Sequence, residues 1–281
     1  MRKILIIAVG LSCAFAANKL QAAPIASGKA EQSIGLGDLT MRVFTYRPDC
    51  ADPSVLFVFH GESRKADVYR TLAIPTADKL CMMVVAPRFD KRHFPSWSYQ
   101  RGGIVLKNKV RDPQRWTGRI VTALAAWVRG EERRPLAYSL IGHSAGAQFL
   151  SRVAAFVPTE AKRIVIANPS TYVSPSLDVA APFGLGGVYP PAEAETALRR
   201  YLAQPVTIML GTADLGSMNN SPQAEAQGAN RFARGHNVFA AGQKLAASRG
   251  WSFNWWLSEV SGVRHSAGKM FASPQAIAAL Q

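Results

Sequence analysis

Six short apolar runs recur along the chain, and several of them are separated by segments with helical periodicity. The runs are rich in Val, Ile, Leu and Phe and lie at residues 55–59, 82–86, 137–141, 164–167, 206–210 and 253–260. Strands that are apolar on both faces are typical of a parallel sheet covered by helices on both sides. The sequence therefore predicts an α/β fold with a mostly parallel central sheet flanked by helices.

The segment before these runs has a different pattern. A Gly-Leu-Gly-Asp turn at 35–38 leads into an alternating segment at 39–46. Alternation of apolar and polar residues next to such a turn indicates a half-buried antiparallel hairpin. We expect this hairpin at the N-terminal edge of the sheet.

Three helices are predicted from capping residues and apolar spacing. The first begins at Asp112–Pro113 and ends before Gly130. The second follows residues 142–146 and includes Phe149, Val153 and Phe156. The third covers residues 237–248. The first carries Trp116, Ile120, Leu124 and Trp127 on one face, which we interpret as a core face.

The 281 residues contain no repeat, charge block or flexible linker, which favours a single domain over residues 23–281. Two connections are long, at about 88–111 and 168–204. Both follow predicted strands at their carboxyl ends, where open α/β sheets place their ligand crevice. We expect these connections to form pocket walls or a lid.

The first 22 residues have the order of a secretory signal. Arg2 and Lys3 precede the apolar run 4–10 and a small-residue stretch, so we expect cleavage after Ala22 and a secreted or periplasmic protein. Lipid attachment at Cys13 is an alternative, although residues 10–12 fit such a signal poorly. No later segment reaches the ~18 apolar residues of a membrane span.

Cleavage leaves two cysteines, Cys50 and Cys81, each near the start of a predicted strand. In an oxidising compartment the pair indicates a disulfide, and two separate buried thiols are the alternative. The two cysteines lack metal-ligand spacing and the histidines are scattered, so no metal or cofactor is expected.

The segment Gly142-His143-Ser144-Ala145-Gly146 directly follows a predicted strand and directly precedes a predicted helix. A sharp turn of this kind exposes the serine above the sheet, and the flanking glycines avoid steric collision. Ser144 is therefore the candidate nucleophile. An ordinary Gly-rich turn is the alternative interpretation.

A serine nucleophile needs a base and a residue that orients the base. The favoured base is His265, which follows the last predicted strand; His236 is the alternative. The favoured acid is Asp214, just beyond the run 206–210; Asp178 and Glu193 are the alternatives. Along the chain, the three candidates follow in the order nucleophile, acid, base. The tetrapeptide His-Ser-Ala-Gly recurs at 265–268, but no strand runs into Ser266, so we interpret that copy as chance.

Two backbone amides are candidates for stabilising an oxyanion. Ala145 N–H lies at a predicted helix N-terminus, and Glu62 N–H lies in the turn His60-Gly61-Glu62-Ser63 after the run 55–59. A carboxylate beside an oxyanion would repel it, so we expect the Glu62 side chain to point away, towards Arg64 or Lys65.

Together, the turn at 142–146, the His60–Gly61 turn, Asp214 and His265 resemble the α/β-hydrolase superfamily from about residue 40 to the C-terminus. The His-Gly turn and the Gly-Thr-Ala-Asp segment at 211–214 are similar to those of secreted esterases and depolymerases related to polyhydroxybutyrate depolymerases and feruloyl esterases. The resemblance implies acylation of Ser144, His265 as base and then acid, Asp214 as orienting residue, oxyanion donors at Glu62 and Ala145, and no metal. It implies cleavage of carboxylic esters.

The formal net charge is +15, and much of the excess lies between Arg64 and Arg134. An anionic polymer such as poly(aspartic acid), cleaved at amide bonds, is therefore an alternative substrate to a small or polymeric ester, and a solvated basic face is the simpler explanation. A non-enzymatic scaffold that binds envelope polyanions is a third hypothesis; nucleic acid is not an expected partner. Candidates for substrate binding are His60, Arg88, Trp97, Tyr99, Arg101 and Tyr172.

Overall fold

The computed structural model describes residues 24–216 and 221–281. The predicted signal segment at 1–22, and with it the alternative lipid site at Cys13, lies outside the described residues. Across the described ranges, no helix combines the length and the apolar character needed to cross a bilayer.

The described part of the chain forms ten strands and eight α-helices. The strands are β1 (Gly28–Leu36), β2 (Leu39–Arg47), β3 (Ser54–Phe59), β4 (Met82–Pro87), β5 (Val105–Leu106), β6 (Lys109–Val110), β7 (Tyr138–His143), β8 (Ile164–Ala167), β9 (Val206–Gly211) and β10 (Trp256–Val260). The helices are α1 (Ala66–Leu80), α2 (Ile120–Glu132), α3 (Ala145–Phe156), α4 (Pro191–Leu202), α5 (Pro222–Glu225), α6 (Arg231–Arg249), α7 (Ala267–Phe271) and α8 (Pro274–Leu280).

Eight of the described strands form one sheet in the order β1-β2-β4-β3-β7-β8-β9-β10. β2 is antiparallel to both β1 and β4, and every pair from β4 to β10 along the sheet is parallel. The predicted α/β-hydrolase fold with an antiparallel edge hairpin is thus confirmed. β5 and β6 form a separate small hairpin inside the 88–111 connection.

Helices cover both faces of the sheet, which explains why the central strands are mostly apolar on both faces. β4 and β7 are buried along their whole length. Alternate residues of β3 enter two separate cores. Phe57 and Phe59 belong to the core that includes residues of α2, α3, α4 and α6, whereas Leu56 and Val58 belong to the core that includes residues of α1, α7 and α8. This two-sided packing holds the carboxyl ends of the parallel strands in one fixed row.

The predicted disulfide is confirmed, since Cys50 and Cys81 are bonded to each other. The parallel register of β3 and β4 pairs Ser54 with Met82, so the two cysteines lie at the same end of neighbouring strands. That end is opposite to the one at which β7 leads into Ser144.

The first predicted helix starts later than its sequence pattern indicates. Asp112 does cap a turn, accepting a hydrogen bond from Gln114 N–H, but the turn is a 3₁₀ helix that stops at Arg115. Trp116 has extended backbone angles, and its ring packs edge-on against Phe156 with centroids 5.8 Å apart. Tertiary packing of this tryptophan therefore outweighs local helical preference. The helix α2 begins at Ile120 and contains Gly130 instead of ending before it.

Other boundaries also differ from expectation. The helix predicted at 237–248 begins earlier, because the Asn230 side chain accepts a hydrogen bond from Ala233 N–H and caps α6 at Arg231. The last strand begins at Trp256, three residues after the apolar run starts. Helix α1 was not predicted, since Pro75 interrupts its pattern.

Candidate active site

Ser144 lies in a strained turn between β7 and α3. Its backbone angles are φ 57° and ψ −115°, in the region of positive φ that residues with a side chain rarely adopt. A Cβ on Gly142 would lie 2.6 Å from the Gly146 carbonyl oxygen, and one on Gly146 would lie 2.1 Å from the Phe59 carbonyl oxygen. Both glycines are therefore required by close backbone contact, as the sequence pattern predicts.

Ser144, His265 and Asp214 form one hydrogen-bonded chain. His265 Nε2 lies 3.0 Å from Ser144 Oγ, and His265 Nδ1 lies 2.6 Å from Asp214 Oδ2. Because a carboxylate only accepts, Nδ1 carries the proton and Nε2 faces the serine hydroxyl with its lone pair. An imidazole in this tautomer and at this distance is able to take the hydroxyl proton.

Asp214 and His265 are presented by two loops that are tied together. Asp214 follows β9 and His265 follows β10, the neighbouring parallel strand. Ala213 N–H donates to the Val263 carbonyl at 3.1 Å, and Gly262 N–H donates to Thr212 Oγ1 at 2.9 Å. The carboxylate and the imidazole are thereby held at a fixed separation.

The carboxyl group of Asp214 is buried, with 3% of its side chain exposed. Burial alone would raise its pKa, but the hydrogen bond and charge of His265 together with the charge of Arg231 hold the pKa below its ordinary value. Arg231 Nη1 lies 3.2 Å from Asp214 Oδ1, the oxygen that His265 does not use. The acid is therefore ionised at neutral pH.

The turn after β3 lies directly beside Ser144. A Cβ on Gly61 would lie 3.8 Å from Ser144 Cβ and 2.5 Å from the Tyr69 hydroxyl. Glu62 follows in the same turn, and Ala145 begins α3, where the first amides of a helix have no intrahelical partner. The two amides predicted as oxyanion donors thus belong to segments that flank the serine.

The Glu62 side chain does not contact Arg64 or Lys65, which corrects the predicted orientation. Its carboxylate accepts a hydrogen bond from Gln100 and lies 4.0 Å from Lys91 Nζ. Arg64 is instead buried, donates to the Phe89 carbonyl at 2.9 Å and stacks on the Tyr99 ring. Arg64 therefore packs in the core, and the Glu62 carboxylate contacts residues of the 88–111 connection.

Three of the predicted substrate-binding residues are buried and hold the fold instead. Tyr99 is fully buried and donates to the His60 carbonyl at 2.8 Å. His60 accepts from Phe89 N–H at Nε2 and contacts the Gly61 carbonyl at Nδ1, both at 3.0 Å. Tyr172 is 1% exposed, and both its backbone polar groups bond to the Gln227 amide. Sequence periodicity does not distinguish such core aromatics from pocket aromatics.

The other three candidates remain at the surface or partly so. Arg101 is exposed over the Phe183 ring, and Trp97 is half-buried under Arg111. Arg88 is exposed beyond the end of β4, where it lines a cavity of about 590 Å³ with residues of β2, including Met41, and with Phe94. Arg88 is therefore on the edge-hairpin side of the crevice.

The alternative site residues make other contacts or lie at the surface. His236 is inside α6 and pairs with Glu259 at 2.9 Å. Asp178 and Glu193 are exposed in the 168–204 connection, and Ser266 caps α7 by accepting from Lys269 N–H. None of the four is in the hydrogen-bonded chain through His265 that the described residues form.

The 168–204 connection is fastened to α3 by a buried arginine. Arg152 is 1% exposed and donates to the carbonyls of Pro182 and Thr171 at 3.1 and 2.9 Å. These bonds fix the part of the connection nearest to the nucleophile helix.

Sequence reasoning missed two residues beside the site, Arg231 and Tyr69. The Tyr69 hydroxyl lies 3.3 Å from His143 Nδ1, and burial raises its pKa to about 12. Neither residue belongs to a local motif, so no signal in the sequence distinguished them. Among the described residues, no group of three His, Cys, Asp or Glu side chains is arranged to hold a metal ion.

Two of the solved structures that resemble this chain align with nearly its whole length at 31% identity. Poly(aspartic acid) hydrolase-1 from Sphingomonas sp. KT-1 is 31% identical, with a TM-score of 0.81 over 88% of this chain and 96% of that one. LpqC, a poly(3-hydroxybutyrate) depolymerase from Bordetella parapertussis, is 31% identical, with a TM-score of 0.82 over 91% of this chain and 94% of that one.

A more distant structure shares the fold. MPT51 of Mycobacterium tuberculosis aligns with 91% of this chain at 15% identity, with a TM-score of 0.56. No protein-family model and no curated protein matches the sequence. The two alignments at 31% identity carry the assignment: the chain is a hydrolase of the α/β-hydrolase family, related to poly(3-hydroxybutyrate) depolymerase and poly(aspartic acid) hydrolase.

Proposed function

We propose that the protein is an exported serine hydrolase that cleaves carboxylic esters through an acyl-enzyme on Ser144. One observation carries the proposal. His265 lies 3.0 Å from Ser144 Oγ on one side of its ring and 2.6 Å from Asp214 on the other. That arrangement pairs a nucleophile with a base and the base with an orienting carboxylate.

In the acylation step, Ser144 Oγ attacks the ester carbonyl carbon while its proton passes to His265 Nε2. Asp214 stabilises the imidazolium through Nδ1–H and stays ionised. The carbonyl oxygen becomes an oxyanion that the backbone N–H groups of Glu62 and Ala145 stabilise. The C–O bond then breaks, and His265 gives its proton to the departing alcohol.

Deacylation repeats these roles with water. His265 removes a proton from a water molecule, whose oxygen attacks the acyl carbon. The tetrahedral intermediate collapses, the proton returns to Ser144 Oγ, and a carboxylic acid is released. No redox change and no metal ion enter this sequence of steps.

Export is part of the proposal. The signal-like order of residues 1–22 supports it, and so does the Cys50–Cys81 disulfide, since such bonds persist in oxidising compartments. A secreted or periplasmic location follows. Expression with the N-terminal segment, followed by mass analysis of the extracellular and periplasmic fractions, tests both cleavage after Ala22 and location.

The decisive experiment compares Ser144→Ala with Ser266→Ala, since both serines occur in the same tetrapeptide. We expect Ser144→Ala to reduce kcat for a short-chain ester by at least about 10⁴-fold and Ser266→Ala to leave it near wild type. A fluorophosphonate should label the wild type at Ser144 alone. Turnover that survives in Ser144→Ala would show that Ser144 is not the nucleophile, whereas a wild type that is inert and unlabelled would favour the non-enzymatic polyanion-binding scaffold.

Amide hydrolysis in an anionic polymer is the second candidate. It is supported by the 31% identity to an enzyme named poly(aspartic acid) hydrolase-1 and by the exposed cations Arg88, Lys91 and Arg101 along the 88–111 connection. Turnover should be compared for short-chain esters, feruloyl esters, polyhydroxybutyrate and poly(aspartic acid). If cations capture the polymer, kcat/KM for poly(aspartic acid) falls with added salt while that for a neutral ester does not; identical responses contradict capture.

A further inference from the structure

We propose that Arg231 is a positioning residue for the base: its guanidinium binds the free oxygen of Asp214, aims the other oxygen at His265 and extends ester hydrolysis to lower pH. The inference rests on the proposed serine hydrolase function. It adds a fourth side chain to the chain of Ser144, His265 and Asp214.

The contact is buried and divides the carboxylate between two partners. Arg231 Nη1 lies 3.2 Å from Oδ1, and His265 Nδ1 lies 2.6 Å from Oδ2. The Arg231 side chain is 15% exposed and that of Asp214 is 3% exposed. A carboxylate with both oxygens engaged cannot rotate about its terminal bond without breaking a charged hydrogen bond. Arg231 therefore fixes the orientation of the oxygen that meets His265.

Arg231 comes from a rigid element. It is the first residue of α6, which Asn230 caps, and one turn later Arg234 donates to the carbonyls of Gly228 and Ser170 at 2.8 and 2.5 Å. Among the described residues, Arg231 Nε is buried without a hydrogen-bond partner. Burial of that N–H group without a partner costs free energy. The favourable contact of the guanidinium is its hydrogen bond to Asp214.

The charge of Arg231 also acts on the imidazole through the shared carboxylate. Among the described residues, the titratable groups around His265 are Asp214, hydrogen-bonded to Nδ1, His143, packed against the ring, Arg231, bonded to Asp214, and Arg264, exposed and next to it in sequence. A cation near the ring disfavours the imidazolium and offsets part of the attraction from Asp214.

The test is the pH dependence of kcat/KM for a small neutral ester, measured on the full chain from pH 5 to 9. We expect Arg231→Gln to move the midpoint of the acidic limb upward by about one pH unit, since removal of one nearby charge has that order of effect. Arg231→Lys keeps the charge and should restore most of the wild-type midpoint. Arg249→Gln, at the exposed far end of the same helix, should leave the midpoint unchanged.

An unchanged midpoint in Arg231→Gln overturns the inference, even where kcat falls, because a merely structural role would lower activity without moving the limb. If Arg231→Gln does not fold, Arg231→Met carries the same test. If neither neutral variant folds while Arg231→Lys does, Arg231 holds the fold and the inference is wrong. Failure of the proposed function is a separate result: wild-type turnover would then not depend on Ser144.

Discussion

The imidazole of His143 packs against the imidazole of His265, with ring centroids 4.5 Å apart and planes tilted by 40°. His143 directly precedes Ser144 in the turn after β7, so one short segment supplies both the nucleophile and a packing surface for the base. Burial, together with the charge that His265 can carry, lowers the pKa of His143 to about 3. His143 therefore supports the ring of His265 without adding a positive charge beside it.

Two buried neutral histidines should make the fold sensitive to acid. Burial lowers the pKa of His60 to about 4, below the ordinary 6.5, and the pKa of His143 is lower still. Between pH 6.5 and 4 the unfolded chain binds protons that the folded chain does not, so the free energy of unfolding falls as pH falls. Each histidine contributes a slope of up to about 1.4 kcal/mol per pH unit.

Denaturant unfolding at several pH values across that window measures the slope. His143→Gln should reduce it, whereas a change at the exposed His93 should not. Equal slopes in wild type and His143→Gln would show that His143 binds its proton as readily in the folded protein as in the unfolded chain.

Asp214→Asn should reduce kcat by about 10³-fold or more while the protein stays folded, because the amide no longer fixes the tautomer of His265 or stabilises the imidazolium. Asp178→Asn is the matched control, since Asp178 is an exposed aspartate that lies before β9, the strand that Asp214 follows. Kinetics on a short-chain ester distinguish the two. Comparable losses in both variants would mean that Asp214 has no special role.

Two glycine substitutions should have opposite effects on stability. Gly146→Ala places a Cβ 2.1 Å from the Phe59 carbonyl oxygen, so we expect a loss of more than about 3 kcal/mol or failure to fold. Gly130 lies in α2 with no atom within 4 Å of an added Cβ, so Gly130→Ala should stabilise by about 0.5–1 kcal/mol. Thermal unfolding of both variants checks the pair; a tolerated Gly146→Ala would contradict the tight turn.

Removal of the disulfide should lower stability and spare activity. The bond closes a loop with a sequence separation of 31, for which chain entropy gives about 3–4 kcal/mol. Because the bond lies at the end of the sheet opposite to Ser144, Cys50→Ser/Cys81→Ser should keep wild-type kcat at 25 °C. Tm with and without reductant, beside ester kinetics, provides the measurement. A large loss of kcat in the folded double variant would contradict this separation.

Local patterns predicted much of the fold. The central strands, the antiparallel hairpin and helix α3 all follow from signals within a few residues of one another. The pairing of Cys50 with Cys81 was indicated by their positions near the starts of two predicted strands and by the predicted export. The strained turn at Ser144 is also local, because β7, the glycines and α3 are contiguous. The sequence pattern does not predict helix α1, since Pro75 interrupts it. The pattern also predicts too early a start for α2, since the packing of Trp116 interrupts the helix.

The order of Ser144, Asp214 and His265 along the chain follows from the sequence alone, as does the position of each just beyond a strand. These positions predict that the three residues meet, because residues at the carboxyl ends of parallel strands share one edge of the sheet. The tertiary structure alone decided which neighbours those residues have. It buried His60, Tyr99 and Tyr172 in the core, directed Glu62 to Gln100, and placed Arg231 on Asp214. Such contacts join segments far apart in sequence, and their geometry depends on how whole helices pack, which no local pattern encodes.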